Sequence, residues 1–120
     1  MQELTLRFIS NDCYKCGFTY YVCYVLPQQE DKIEYKDIFN PRVIENIKQW
    51  HNENKHIALG TIKERFSKRA NTSYMSFGCP KCDAIFGDFY FMEAVFDTLY
   101  DKQGNDIADV VISLKMRLVN

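Results

Sequence analysis

Cys13 and Cys16 form one C-x-x-C pair, and Cys79 and Cys82 form a second. At that spacing a tight turn, or knuckle, can aim two thiolates at one metal ion. Two such turns supply the four ligands of tetrahedral zinc. Gly17 follows Cys16 at a place where the chain often needs a positive φ. Zinc binding favours the thiolate form and adds its free energy to folding. One structural Zn2+ is therefore the expected cofactor, with iron as the alternative metal, since sulfur tetrahedra accept both. Four cysteines close the coordination sphere, so the open position of a hydrolytic zinc site is not expected.

The two pairs lie far apart in the chain. Ribbon-type sites separate their pairs by about 15–20 residues, and the stretch from residue 17 to residue 78 is several times longer. A shared site is compatible with this distance if residues 27–71 are an insertion that leaves the site and returns. A second reading is thiol–disulfide chemistry at Cys79-Pro80-Lys81-Cys82, which would resemble a thioredoxin-type dithiol before a helix. Two features oppose it: such folds place a later cis-proline beside the dithiol, and Pro80 is the last proline here; and Cys13 and Cys16 would have no role. Cys23 shares a strand face with Tyr21 and Val25 and reads as a small buried residue. His51 and His56 lie in or just after a predicted helix, outside any metal-ligand pattern.

The elements that must position these cysteines follow from periodicity. Residues 3–10 alternate, with Leu4, Leu6 and Phe8 on one face, and read as a strand. Residues 18–26 are β-branched and aromatic and make a second strand, which gives a hairpin with the first cysteine pair near its tip. Asn40-Pro41 is a helix start, and Val43, Ile44, Ile47 and Trp50 recur at helical spacing through 54. Residues 61–70 read as a helical turn or a basic loop, and 72–77 as a strand leading into the second pair. A helix is expected from Asp83 to Tyr100, a turn at 102–105, and a final strand in which Val110, Ile112, Leu114, Met116 and Leu118 alternate with polar residues. The sequence predicts one α+β domain over residues 1–120: an antiparallel sheet, two main helices and a treble-clef-like zinc site. In that arrangement the second pair stands at a helix N-terminus, where the dipole favours its thiolates.

Cys13-Tyr14-Lys15-Cys16-Gly17, Ser73-Tyr74-Met75-Ser76-Phe77-Gly78-Cys79-Pro80-Lys81-Cys82 and Ile85-Phe86-Gly87-Asp88-Phe89 together resemble a zinc-binding module of poorly characterised bacterial proteins, some loosely labelled competence-associated. That family pairs a C-x-K-C knuckle with a later C-P-x-C and a G-D-F segment. The similarity covers about a third of the chain. It implies that the two pairs act together and brings no established activity. Asp88 then has two readings: an outer residue accepting hydrogen bonds near the second knuckle, or an acid at a helix start.

Composition narrows the partners. Fifteen Lys and Arg against sixteen Asp and Glu give a net charge of −1, so any nucleic-acid contact must be local. The local candidate is Lys63, Arg65, Lys68 and Arg69, interleaved with Phe66 and followed by Tyr74; the alternative is a solvated face. Tyr20, Tyr21 and Tyr24 span both faces of their strand and point to core packing, or to an aromatic partner surface. Glu93 and Asp97 share a helix face and read as solvated rather than catalytic. The first residues lack the basic start and apolar run of a signal peptide, and five cysteines suit metal binding in a reducing compartment. The sequence therefore predicts a cytoplasmic, non-membrane, non-enzymatic module that binds a protein or a nucleic acid.

Overall fold

The computed structural model describes residues 2–100 and 107–118. The turn predicted at 102–105 lies outside the described residues. In chain order the elements are β1 (Gln2–Asp12), β2 (Thr19–Val25), a 3-10 helix (Tyr35–Phe39), α1 (Pro41–Asn52), β3 (Thr61–Ser67), β4 (Thr72–Gly78), β5 (Ile85–Phe86), α2 (Asp88–Tyr100) and β6 (Val110–Leu114). The α+β class is as the sequence predicts, but the strands form two antiparallel sheets, ordered β2-β1-β6 and β3-β4-β5. The chain after α1 joins them: Leu59 bridges Tyr21 in parallel, Tyr21 N–H donates to Ala58 O, and Gly60 N–H donates to Tyr21 O, both at 2.7 Å.

The first sheet is packed by α1 on one face and by α2 on part of the other. Side chains alternate along β1, and Phe8, paired in register with Cys23, meets Trp50 of α1 at 5.0 Å between ring centroids. The opposite face carries Arg7 and its cross-strand neighbour Tyr24. Arg7 donates to Thr98 O of α2 at 3.3 Å, and the Tyr24 and Thr98 hydroxyls lie 2.9 Å apart. Arg7 is buried and makes a two-pronged pair with Asp109, at 3.1 and 2.9 Å. Tyr20 and Tyr24 are buried and Tyr21 half-buried, so these tyrosines are core rather than free surface.

Local signals account for α1. Asn40 Oδ1 accepts from Arg42 N–H at 3.0 Å, Pro41 takes the first helical position, and Val43, Ile44 and Ile47 are buried. Residues 27–71 also contribute Ile33, Ile38, Leu59 and Ile62 to the core. Phe91 of α2 ties the 3-10 helix to the second sheet through an aromatic cluster, with ring centroids 5.3 to 6.4 Å from those of Tyr35, Phe39, Phe77 and Phe86.

Three expectations are corrected. Residues 61–67 are a strand rather than a helical turn or loop, because they pair with β4 from Thr61↔Gly78 to Ser67↔Thr72 and set Ile62 opposite Phe77. The second helix starts at Asp88, since β5 intervenes and pairs with Phe77 and Gly78 of β4. The last strand ends at Leu114; Met116 is exposed, and Leu118 N–H donates to Gln2 Oε1 at 2.8 Å. Among the described residues, no helix is long and apolar enough to cross a membrane.

Candidate metal centre

Cys13 and Cys16 sit in the turn between β1 and β2. Cys13 N–H donates to Phe18 O, and Gly17 N–H donates back to Cys13 O, both at 2.9 Å; Gly17 has a φ of 79°. The second pair repeats this pattern between β4 and β5. Cys79 N–H donates to Ala84 O and Asp83 N–H to Cys79 O, again at 2.9 Å, and Asp83 has a φ of 65°. Lys81 N–H points at Cys79 Sγ, 3.4 Å away. Each pair thus occupies the bend of an antiparallel hairpin. The treble-clef arrangement would instead place Cys79 and Cys82 in the first turn of a helix, and Ile85–Phe86 separates them from α2.

The two turns meet sulfur to sulfur. Cys13 Sγ lies 3.5 Å from Cys82 Sγ, Cys16 Sγ lies 3.6 Å from Cys79 Sγ, and all four sulfurs fall within 4.8 Å of one another. With metal–sulfur bonds of about 2.3 Å, a thiolate tetrahedron has edges of about 3.8 Å, so the four sulfurs are spaced to hold a metal ion. Cys13 and Cys79 are buried, Cys82 is half-buried and Cys16 is exposed, which puts the centre at the edge of the core.

The backbone favours negative charge here. The N–H of Cys16, assisted by that of Lys15, lowers the Cys13 thiol to about 6 against the opposing effect of burial. Burial pushes the Cys79 thiol up, but the N–H groups of Cys82 and Lys81 bring it below its ordinary value. At Cys82 the N–H of Ala84 acts in the same direction, yet burial and the three neighbouring sulfurs outweigh it and raise the thiol to about 12. Four thiolates at this spacing repel one another, and a divalent cation among them removes that repulsion.

A residue without a role in the sequence reading braces the second turn. Asp83 Oδ1 accepts from Arg65 at 2.5 Å and Asp83 Oδ2 pairs with Lys63 at 2.9 Å, and these two cations hold the carboxylate below its usual range. Arg65 is buried, also donates to Thr61 O at 2.8 Å, and lies across Gly78, where any side chain would collide with the guanidinium. The available signal was positional: Asp83 follows its cysteine pair as Gly17 follows the first, and Asp tolerates positive φ better than most residues.

The other sequence candidates lie elsewhere. Asp88 opens α2, where its backbone N–H donates to the Tyr74 hydroxyl at 3.3 Å and its carboxylate pairs with Lys36 at 3.4 Å. Lys68 and Arg69 are exposed in the turn between β3 and β4, apart from the engaged Lys63 and Arg65. Glu93 and Asp97 are exposed on α2. His51 bonds to Ile57 O at 2.8 Å and His56 is exposed; neither belongs to the sulfur cluster. Cys23 is fully buried on β2, where burial pushes its thiol up. No protein-family model, curated protein or solved structure matches the chain.

Proposed function

We propose that Cys13, Cys16, Cys79 and Cys82 hold one structural zinc ion, and that the chain is a non-enzymatic module that binds a partner protein. The observation that carries this reading is the sulfur cluster itself: four thiols, two from each hairpin bend, at the spacing of a closed tetrahedron. When bound, the ion supplies a fixed cross-link between the two sheets. The chain's own part is to aim backbone N–H groups at the sulfurs and to hold the second bend through Asp83, Lys63 and Arg65. Two matching hairpin bends favour a ribbon-like centre over a treble clef. The motif resemblance to bacterial zinc modules, and a reducing cytoplasmic setting, accord with this reading.

A protein partner is preferred to a nucleic acid because Lys63 and Arg65 are already committed to Asp83, leaving Lys68 and Arg69 as the free part of the basic run. The test is metal content by mass spectrometry with variants of both pairs. A structural centre requires one zinc per chain, and loss of both metal and fold in Cys13→Ser and in Cys82→Ser. If Cys13→Ser keeps the fold, and Cys79 and Cys82 form a reversible disulfide, the chain is a thiol–disulfide protein and the zinc reading fails. Iron in place of zinc keeps the structural centre and changes only the metal.

A further inference from the structure

Beside the sulfur cluster the surface carries a groove of about 440 Å³, within the size range of ligand sites. Three parts of the chain build it: Asp12 and Tyr14 at the end of β1 and in the first cysteine turn, Ile85 to Gly87 at β5, and Tyr90 on α2. Tyr14 is 79% exposed and Tyr90 61% exposed. Phe89, equally exposed, meets Tyr90 edge to face at 5.8 Å. Large aromatic side chains gathered on a surface mark contact sites more often than they mark chance.

The charge of the lining selects the ligand. Among the described residues that line it, Asp12 is the one carboxylate and none is cationic. Thr19 Oγ1 donates to Asp12 Oδ1 at 2.6 Å, which fixes that carboxylate at the rim. Aromatic faces attract cations, and a neighbouring carboxylate adds to that attraction. The same lining repels a phosphate. The backbone selects the presentation. β5 is the outer strand of its sheet, and β6 covers β1 from Gln2 to Leu6, so among the described residues Asn11 and Asp12 have a strand neighbour in β2 alone. Strand edges on both sides of a groove suit an extended chain whose alternate side chains enter pockets.

We propose that this groove binds a lysine or arginine side chain carried by an extended segment of a partner protein. The inference deepens the interaction-module reading and rests on it; Tyr14 lies inside the first cysteine turn and is placed by that turn's backbone. The probes are fluorescein-labelled peptide pools with randomised flanks and a fixed central Arg, Lys or Gln, titrated by anisotropy against the full zinc-loaded chain. The Arg and Lys pools bind about tenfold more tightly than the Gln pool. Asp12→Asn and Tyr90→Ala each weaken binding severalfold and narrow the preference for a cation. Gly87→Leu abolishes binding: a Cβ at Gly87 sits 3.6 Å from the Tyr90 ring, an ordinary contact, so the new side chain enters the groove rather than the core.

Zinc content and circular dichroism, measured on every variant, separate the two readings. Equal binding of the Gln pool, no binding by any pool to a chain that holds one zinc, or unchanged binding by Gly87→Leu overturns the groove and leaves the zinc centre standing. Displacement of bound peptide by a thymidine oligonucleotide also overturns it, by assigning the aromatic surface to nucleic acid. Cation-selective binding by a chain without metal upholds the groove and removes the zinc reading.

Discussion

The buried guanidinium of Arg65 reaches the one residue of the second cysteine turn that bends backwards: Asp83 accepts its hydrogen bond while holding a positive φ of 65°. Asp83 therefore pays a backbone cost that Gly17 avoids in the matching turn, and the ion pair offsets it. Asp83→Ala is expected to lower stability by about 2 kcal/mol, because the left-handed strain stays while the partner of a buried cation is lost. Asp83→Gly should cost roughly 1 kcal/mol less, since glycine relieves the strain. Urea unfolding of the metal-loaded protein measures both; equal losses would mean that the turn is unstrained.

Arg7 crosses from the first sheet to α2 and Asp109, and its side chain is 5% exposed. Asp109→Ala leaves that guanidinium unpaired and should cost about 2–3 kcal/mol, somewhat below the figure for fully buried pairs because Asp109 is partly open to water. The double variant Arg7→Met, Asp109→Leu removes the orphaned charge and should recover most of the loss. A double variant no more stable than Asp109→Ala would show that the pair has a role beyond mutual neutralisation.

Phe91 holds the aromatic cluster between α2, the 3-10 helix and the second sheet. Phe91→Ala opens a cavity among Tyr35, Phe39, Phe77 and Phe86 and should cost about 3–5 kcal/mol. Phe89→Ala, two residues earlier on the exposed side of α2, should change stability by less than about 0.5 kcal/mol. Thermal melts of the two variants at one metal concentration check the contrast.

Burial raises the Tyr20 hydroxyl to about 12, and nearby thiolate charge on Cys13 acts in the same direction. A folded value above the unfolded one means that the contribution of Tyr20 is fully present below the ordinary tyrosine value of about 10. It is lost as pH rises through about 12. Tyr20→Phe should move the midpoint of alkaline unfolding upward. An unchanged midpoint would place the alkaline limit at another group.

Thiol titration offers a check of a different kind. In the native, metal-loaded chain none of the five cysteines should react quickly with a disulfide reagent. Chelation should release Cys13, Cys16, Cys79 and Cys82 together, whereas Cys23, fully buried on β2, should wait for denaturant. Fast reaction of Cys23 in the folded protein would contradict its place in the core.

What the sequence made legible tracks how local each cause is. α1 could be read because its cap, its proline and its apolar stripe all lie within its own residues. The cysteine pairs could be read because their spacing is itself the chemistry. β3 could not: Thr-Ile-Lys-Glu-Arg-Phe-Ser is highly charged, and it is a strand because β4 pairs with it. Arg65 looked like a solvated or phosphate-binding cation, and its burial follows from Gly78 and Asp83, thirteen and eighteen positions later. The start of α2 was set too early for the same reason: pairing between β4 and β5, rather than any residue near Asp83, delays the helix.

The sulfurs that touch across the centre are 63 and 69 positions apart in the chain. At a synthesis rate of roughly 5–20 residues per second, Cys13 and Cys16 leave the ribosome on the order of ten seconds before Cys79 and Cys82 follow. β1, which leads into the first pair, gains its other neighbour only when Val110–Leu114 arrives. A strand made well before its second neighbour is therefore among the last parts of its sheet to be finished. During translation it presents an open strand edge beside a half-built metal site, and it is in that interval that a growing chain is exposed to oxidation, stray metal and mispairing.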